Sequence, residues 1–203
     1  MKKITMIFCG LALLVSVGCG PSKPDPVLVP PFDPGAIASK AMELYDKNGD
    51  KKLDADELKA APSIAYSAKS IDTDGDGAVS EAEISTRVQA WIERKVGLTC
   101  PNLKFEDKSH KLPKDCKGKN VVLTPDPVMC GIITKATTPI PIGDNGQCNP
   151  TTPDNQENLS GMPYGFYNIE IEGTSYKNLG IEVFDDAKDI DMDSFIITLK
   201  KGK

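Results

Sequence analysis

The sequence predicts a mixed α+β protein in which a small helical domain, residues 35–96, precedes a β-rich domain, residues 97–203. Apolar residues recur at helical spacing up to Val96. After Gly97 they occur in short alternating or β-branched runs separated by Pro, Gly and Asn, which is the pattern of strands and turns. The length of 203 residues allows one or two domains.

The first residues have the composition of an export signal. Lys2 and Lys3 precede an apolar run over residues 4–17, which is shorter than the roughly 20 residues that span a bilayer core. Residues 1–18 are therefore predicted to be a signal peptide. The small residues directly before Cys19 resemble the bacterial lipobox, which implies that Cys19 becomes the lipidated N-terminus of the mature chain. Ordinary secretory cleavage is the alternative.

A proline-rich segment, residues 19–34, separates the signal from the first helix. Six prolines between positions 21 and 34 predict an extended tether, because proline cannot join helices or sheet ladders. Asp33 can cap a helix whose first residue is Pro34. This helix is predicted to run into Asp46.

Two twelve-residue segments, 46–57 and 72–83, resemble EF-hand calcium loops, and the second begins 26 positions after the first. Such loops surround a hard cation with six to eight oxygens. In the second loop the predicted ligands are Asp72, Asp74, Asp76, the backbone carbonyl of Ala78, Ser80 and Glu83. In the first loop they are Asp46, Asn48, Asp50, the backbone carbonyl of Lys52, Asp54 and Glu57. Leu53 and Val79 occupy the apolar position whose backbone pairs with the other loop.

The two calcium sites are predicted to be unequal, with the second stronger. Gly77 occupies the sharp-turn position of the second loop, whereas the first loop has Lys51 there. A side chain in a left-handed conformation costs about 1 kcal/mol. The first loop has a net charge of −2 and the second of −5. Helix capping by Asp54 with Glu57 and by Ser80 with Glu83 is the alternative interpretation, and magnesium is a less suitable ion.

The helices around these loops are predicted to form a compact core. Pro62 ends the helix that leaves the first loop almost as soon as it begins. The predicted apolar faces consist of Ile64, Ala68 and Ile71 before the second loop and of Ile84, Val88, Trp91, Ile92 and Val96 after it. A calcium sensor needs a methionine-rich groove, and this pair has one methionine, Met42. Structural or buffering calcium is therefore favoured over switching.

The second domain is predicted to be an antiparallel β-sandwich, immunoglobulin-like or transthyretin-like. Its candidate strands are residues 98–105, 120–123, 131–135, 164–172, 179–184 and 195–200. The strand that ends in Pro125, the loop that closes with Asp144, Asn145 and Gly146, and the strand entry from Met162 to Tyr167 resemble the carboxypeptidase regulatory-like or transthyretin-like sandwich. Exported proteins of planctomycete-type bacteria join such a sandwich to an EF-hand pair, and the mature chain resembles them over nearly its whole length.

Four cysteines remain after Cys9 is removed and Cys19 is lipidated: Cys100, Cys116, Cys130 and Cys148. An even number in an exported chain predicts two disulfides with three possible pairings. The sequential pairing, Cys100 with Cys116 and Cys130 with Cys148, is favoured. A hairpin that turns near residues 108–111 would bring the first pair together, and the second pair would close a long loop.

The composition argues against two classes of function. The net charge of −5 produces no positive potential that would attract a nucleic-acid backbone, so nucleic-acid binding is disfavoured. His110, the only histidine, lies in a predicted hairpin tip exposed to solvent, which disfavours catalysis or zinc binding that depends on histidine. The acidic run 185–193 is interpreted as a solvated loop rather than a third cation site.

The interpretation is a non-enzymatic, calcium-binding lipoprotein anchored at a bacterial envelope, on its periplasmic or cell-surface face. Its expected partners are calcium ions, the membrane, and another envelope protein or a surface polymer. The alternatives are an accessory subunit of an envelope enzyme and a transthyretin-like carrier of a small ligand.

Overall fold

The computed structural model of the protein describes residues 30–94, 98–99, 101–150, 162–184 and 195–200. The predicted signal peptide, Cys19, most of the tether, Cys100 and the acidic run 185–193 lie outside the described residues. The mixed α+β fold is confirmed, with three α-helices followed by sheets that are mainly antiparallel. Within the described ranges, no helix has the length and apolar character needed to cross a membrane.

The three helices are α1 Pro34–Tyr45, α2 Pro62–Ile71 and α3 Glu81–Glu93. The start of α1 is as predicted, because the Ala36 amide donates to Asp33 Oδ1 at 3.0 Å and Pro34 is the first helical residue. After the first loop only a 3₁₀ turn, Glu57–Lys59, forms before Pro62 begins α2.

The predicted apolar helix faces form much of the core. Ile64 and Ile71 of α2 and Ile84, Val88 and Trp91 of α3 are buried. Ala68 and Ile92 are half-buried, and Val96 lies outside the described residues. The 3.6-residue period is therefore a correct guide to which side of each helix is buried.

The described residues contain eleven strands, most of them short. They are β1 Lys52–Leu53, β2 Val79–Ser80, β3 Leu98–Thr99, β4 Leu103–Glu106, β5 Asn120–Pro125, β6 Ile140–Pro141, β7 Gln147–Cys148, β8 Met162–Pro163, β9 Gly165–Ile171, β10 Leu179–Val183 and β11 Phe195–Thr198. The larger sheets have the orders β10-β9-β5-β6 and β11-β4-β7. β1 pairs with β2, and β3 pairs with β8.

Two strand predictions are wrong. The predicted strand 98–105 is two strands, β3 and β4, that belong to different sheets, and Pro101 between them has no amide hydrogen for a ladder. The predicted strand 131–135 does not form, because Cys130 and Gly131 have left-handed φ values of 52° and 73° and turn the chain. The sequence also did not predict β6 and β7.

The expected hairpin between the first two long strands of the β-rich region does not form. A turn is present, with the His110 amide donating to the Asp107 carbonyl at 3.0 Å. However, β4 lies in the three-stranded sheet and β5 in the four-stranded sheet. The pairing of β4 with β11 is parallel, with Leu103 opposite Phe195, which corrects the expectation of a purely antiparallel region.

The helices and the four-stranded sheet share one buried core. At the contact of α2 with β10, a Cβ added to Gly180 would lie 2.3 Å from the Ser63 backbone nitrogen, so the two backbones touch. Phe32, at the end of the predicted tether, is buried edge-on against Trp91, with ring centroids 5.5 Å apart. The two predicted domains are therefore packed directly on each other.

Candidate metal centre

The second acidic loop brings three carboxylates together. Oxygens of Asp72, Asp74 and Asp76 lie within 4.8 Å of one another, and they form the one such group of three acidic, histidine or cysteine side chains among the described residues. Asp72 is half-buried at the end of α2, and the other two are exposed. Oxygen ligands at this spacing suit a hard divalent cation.

Backbone amides hold these carboxylates in place. Asp72 accepts from Gly75 through Oδ1 at 2.7 Å and from Gly77 through Oδ2 at 3.0 Å. Asp74 accepts from the Asp76 amide at 3.1 Å, and Asp76 from the Ala78 amide at 2.9 Å. The loop backbone therefore wraps around its own acidic side chains and fixes where their oxygens lie.

Glu83 closes the second loop from the first turn of α3. Its Oε1 accepts from the Thr73 amide at 2.7 Å, and its Oε2 accepts from the Ser80 amide at 2.9 Å. Burial by itself raises the pKa of Glu83, but the hydrogen bonds from Ser80 and Thr73 outweigh it and hold the pKa at about 2. Glu83 is therefore ionised at neutral pH and joins the two ends of the loop.

The first loop repeats this network in register. Asp46 accepts from Gly49 at 2.6 Å and from Lys51 at 2.9 Å, matching the bonds of Asp72. Glu57 accepts from Lys47 at 2.8 Å and from Asp54 at 3.0 Å, matching those of Glu83.

The middle of the first loop has the same hydrogen bonds as the middle of the second, with the side-chain amide of Asn48 in place of the Asp74 carboxylate. The Asp50 amide donates to Asn48 Oδ1 at 2.8 Å, and the Lys52 amide donates to Asp50 Oδ1 at 2.9 Å. Asn48 therefore offers one neutral oxygen where the second loop offers the carboxylate of Asp74.

Two details of the predicted loop geometry are confirmed. Leu53 pairs with Val79 in a short antiparallel ladder that joins the loops, and both side chains are buried. Lys51 has a φ of 64°, where Gly77 of the second loop has 88°. The first loop therefore adopts the same turn as the second although its residue there carries a Cβ.

The capping alternative is also formed. Ser80 Oγ accepts from the Glu83 amide at 3.3 Å while Glu83 accepts from the Ser80 amide, which is a capping box at the start of α3. Asp54 and Glu57 exchange equivalent bonds, each at 3.0 Å. Both loops therefore have the reciprocal hydrogen bonds of a capping box, and of the two, the second brings together three carboxylates that could hold a cation.

Two lysines of the first loop contact acidic residues of the second, which the sequence did not predict. Lys52 Nζ forms an ion pair with Asp76 Oδ2. Lys51 Nζ lies 3.5 Å from Glu81 Oε2, and Glu81 also accepts from Ser39 in α1 through Oε1 at 2.6 Å. The loops are thus joined by charge as well as by the β1–β2 ladder.

Two buried carboxylates behind the loops were also missed. Glu182 of β10 is 2% exposed and accepts from Arg87 and Trp91 of α3. Asp126 is 1% exposed and accepts from Tyr45 of α1 at 2.9 Å and from Ser63 of α2 at 2.7 Å. These side-chain partners are 63 to 95 positions away, so no local pattern could indicate them, although Asp126 also accepts locally from the Val128 amide at 3.1 Å.

The predicted bridge between Cys130 and Cys148 is not formed, because both are free thiols. Cys130 Sγ lies 3.7 Å from the Ala36 carbonyl of α1, whereas Cys148 is buried in β7 opposite Leu103. Burial raises the pKa of the Cys148 thiol to about 12. Backbone bonds hold the intervening loop instead of a disulfide, for example from the Thr137 amide to the Leu123 carbonyl at 2.9 Å.

The bridge between Cys100 and Cys116 stays a prediction, because Cys100 lies outside the described residues. His110 is exposed, as predicted, with 83% of its side chain accessible and Nδ1 2.7 Å from Glu106 Oε1.

Comparison of the chain with protein-family models, with curated proteins and with solved structures gives no significant match. Any functional proposal therefore depends on the geometry of the two loops and on their likeness to each other.

Proposed function

We propose that the protein is a non-enzymatic, calcium-binding lipoprotein of a bacterial envelope, with an EF-hand pair packed on a β-sandwich. The single observation that supports it most is the repeat of one hydrogen-bond network in both loops, 26 residues apart, around matching oxygen side chains. A helix cap requires the bonds at Ser80 and Glu83 but does not require Asp72, Asp74 and Asp76 to converge.

Two features predict that the second loop binds calcium more tightly than the first. Its segment carries five acids and no basic residue, whereas the first has three lysines. Glycine at position 77 takes the left-handed turn without strain, and Lys51 does not. The second loop is therefore the stronger site and the first the weaker.

The packing of α3 also favours a structural or buffering role for calcium over a switching role. The helix that begins in the second loop, α3, packs on the sheet through Trp91 and Arg87, so calcium at its N-terminal end would stabilise the core rather than release a groove. Export and lipidation at Cys19 complete the proposal. Export would place the loops outside the cytoplasm, where calcium-binding modules commonly have dissociation constants of about 0.1 to 1 mM.

Calorimetry with CaCl₂ tests the calcium proposal. The unmodified chain should give two binding events of unequal strength, and Glu83→Gln should remove the stronger while Glu57→Gln removes the weaker. Glu93→Gln is the matched control, because Glu93 lies at the exposed end of the same helix. An absence of calcium heat at millimolar concentration, with a melting temperature that EDTA does not change, would overturn the proposal.

A further inference from the structure

A groove of 680 Å³ lies between α2, the first residues of β10, and β11. None of its lining residues is a ligand proposed for calcium, so a function of this groove is independent of the calcium proposal. The groove combines three properties that point to one kind of occupant.

The first property is its charge. Lys59, Lys177 and Lys200 line the groove, and its described lining contains no acidic residue, although the whole chain has a net charge of −5. Lys59 is paired with Asp56, but Lys177 and Lys200 form no ion pair with any residue that the structure describes. Within the part of the chain that the structure describes, the groove therefore offers an anionic ligand two ammonium groups that have no ionic partner.

The second property is its exposed apolar surface. In the described part of the chain, three large apolar side chains are exposed, namely Leu44, Tyr66 and Ile196. Tyr66 of α2 and Ile196 of β11 both line this groove. Exposed apolar groups gathered beside unpaired cations are typical of an interaction site.

The third property is an open strand edge. Among the strands that the structure describes, β11 is the last of its sheet and pairs only with β4. The Phe195 amide donates to the carbonyl of Asn102, just before β4, at 2.8 Å, and the Leu199 amide donates to the carbonyl of Glu106 in β4 at 2.7 Å. Because successive residues of a strand point their backbone groups to opposite sides, those of Ile196 and Thr198 point away from β4.

We propose that this groove binds an extended acidic peptide segment of a partner protein. The peptide adds a strand to the free edge of β11, lays apolar side chains on Tyr66 and Ile196, and sets carboxylates against Lys177 and Lys200. An anionic polysaccharide would satisfy the lysines, but it lacks the regularly spaced amides and carbonyls that pair with Ile196 and Thr198. The open edge therefore favours a peptide.

Fluorescence anisotropy with the full chain tests the charge requirement. The probe is a labelled peptide of alternating aspartate and valine, and the comparison ligands are the same peptide with asparagine for aspartate and a polyuronate. The double variant Lys177→Glu with Lys200→Glu should weaken binding of the acidic peptide about tenfold or more. Lys108→Glu with Lys111→Glu makes the same change in net charge at exposed positions outside the groove and should leave binding unchanged.

A proline at the open edge tests strand addition. Thr198→Pro removes the amide that points away from β4, which an edge strand tolerates, and should abolish peptide binding, whereas Thr198→Ala should retain it.

Carbodiimide coupling of the unmodified chain with the acidic peptide should join Lys177 or Lys200 to the carboxylates of the peptide.

Three results would overturn the proposal. They are binding of the polyuronate in preference to the peptide, equal peptide affinity in the Lys177 and Lys200 double variant, and coupling of these lysines to acidic residues of the same chain alone.

Discussion

Replacing Glu182 by Gln should destabilise the whole molecule, because this side chain joins the helical region to the sheet. Arg87 Nε donates to Glu182 Oε1 at 2.7 Å, Arg87 Nη2 donates to Oε2 at 3.0 Å, and Trp91 Nε1 donates to Oε1 at 2.8 Å. The side chains of Arg87 and Glu182 are 14% and 2% exposed. The guanidinium also lies 4.5 Å from the ring centre of Phe184.

The magnitude depends on the groups that the substitution leaves unpaired. Glutamine keeps an acceptor for Trp91, but it removes the negative charge and one acceptor from a guanidinium that stays buried. Removing one partner of a buried ion pair costs about 3 kcal/mol, most of it from the unpaired charge. Arg87→Met should cost a similar amount, because it leaves the buried Glu182 carboxylate without its positively charged partner. The double variant leaves two neutral groups, so it should cost less than the sum of the single changes, with a coupling of about 2 kcal/mol.

Urea unfolding followed by tryptophan fluorescence measures these effects, since Trp91 is the only tryptophan and contacts Glu182 directly. Glu170→Gln, at an exposed position of the neighbouring strand β9, is the control and should change stability by less than about 0.5 kcal/mol. An unchanged midpoint in Glu182→Gln, or fully additive single variants, would refute the reasoning.

The loops, the anchor and the helix–sheet contact give four further expected outcomes. Lys51→Gly should tighten calcium binding at the weaker site by about fivefold, because it removes left-handed strain of about 1 kcal/mol together with one positive charge; calorimetry would show no change if that strain were absent. Cys19→Ser should release the chain from the membrane fraction and abolish acylation, and a wild-type mass without lipid would contradict the anchor. Gly180→Ala should destabilise the fold by about 3 kcal/mol in thermal melts, because its Cβ would lie within 2.6 Å of three backbone atoms of α2. The control Gly35→Ala should be neutral, because its Cβ would meet its nearest atom at 3.5 Å. The pKa of Glu83 falls to about 2 from an ordinary value of 4.5, so its contribution to stability should be complete above pH 4.5 and be lost as the pH falls towards 2; an equally steep acid transition in Glu83→Gln would contradict this.

The elements that the sequence predicted well are those specified within a few residues. The start of α1 follows from Asp33 and Pro34, and the left-handed turn at Lys51 follows from its place in a repeated pattern. The buried faces of α2 and α3 follow from apolar spacing alone. Local sterics and hydrogen bonding decide all of these, and local information is what a single sequence contains.

The β-rich region was predicted less accurately because strand pairing is not local. Nothing near Leu103 indicates that its strand pairs in parallel with β11, about ninety positions later, rather than with β5. The same limit explains the incorrect Cys130–Cys148 bridge, since a disulfide depends on where two distant backbones meet.

The sequence by itself determined the two acidic loops, their oxygen side chains and the expected inequality between them, because twelve consecutive residues hold the pattern. Only the tertiary structure decided that Glu182 and Asp126 tie the helices to the β-rich region, and that α2, β10 and β11 enclose a lysine-lined groove. Burial of a charge is stable only when distant donors converge on it, and that convergence is a property of the folded chain.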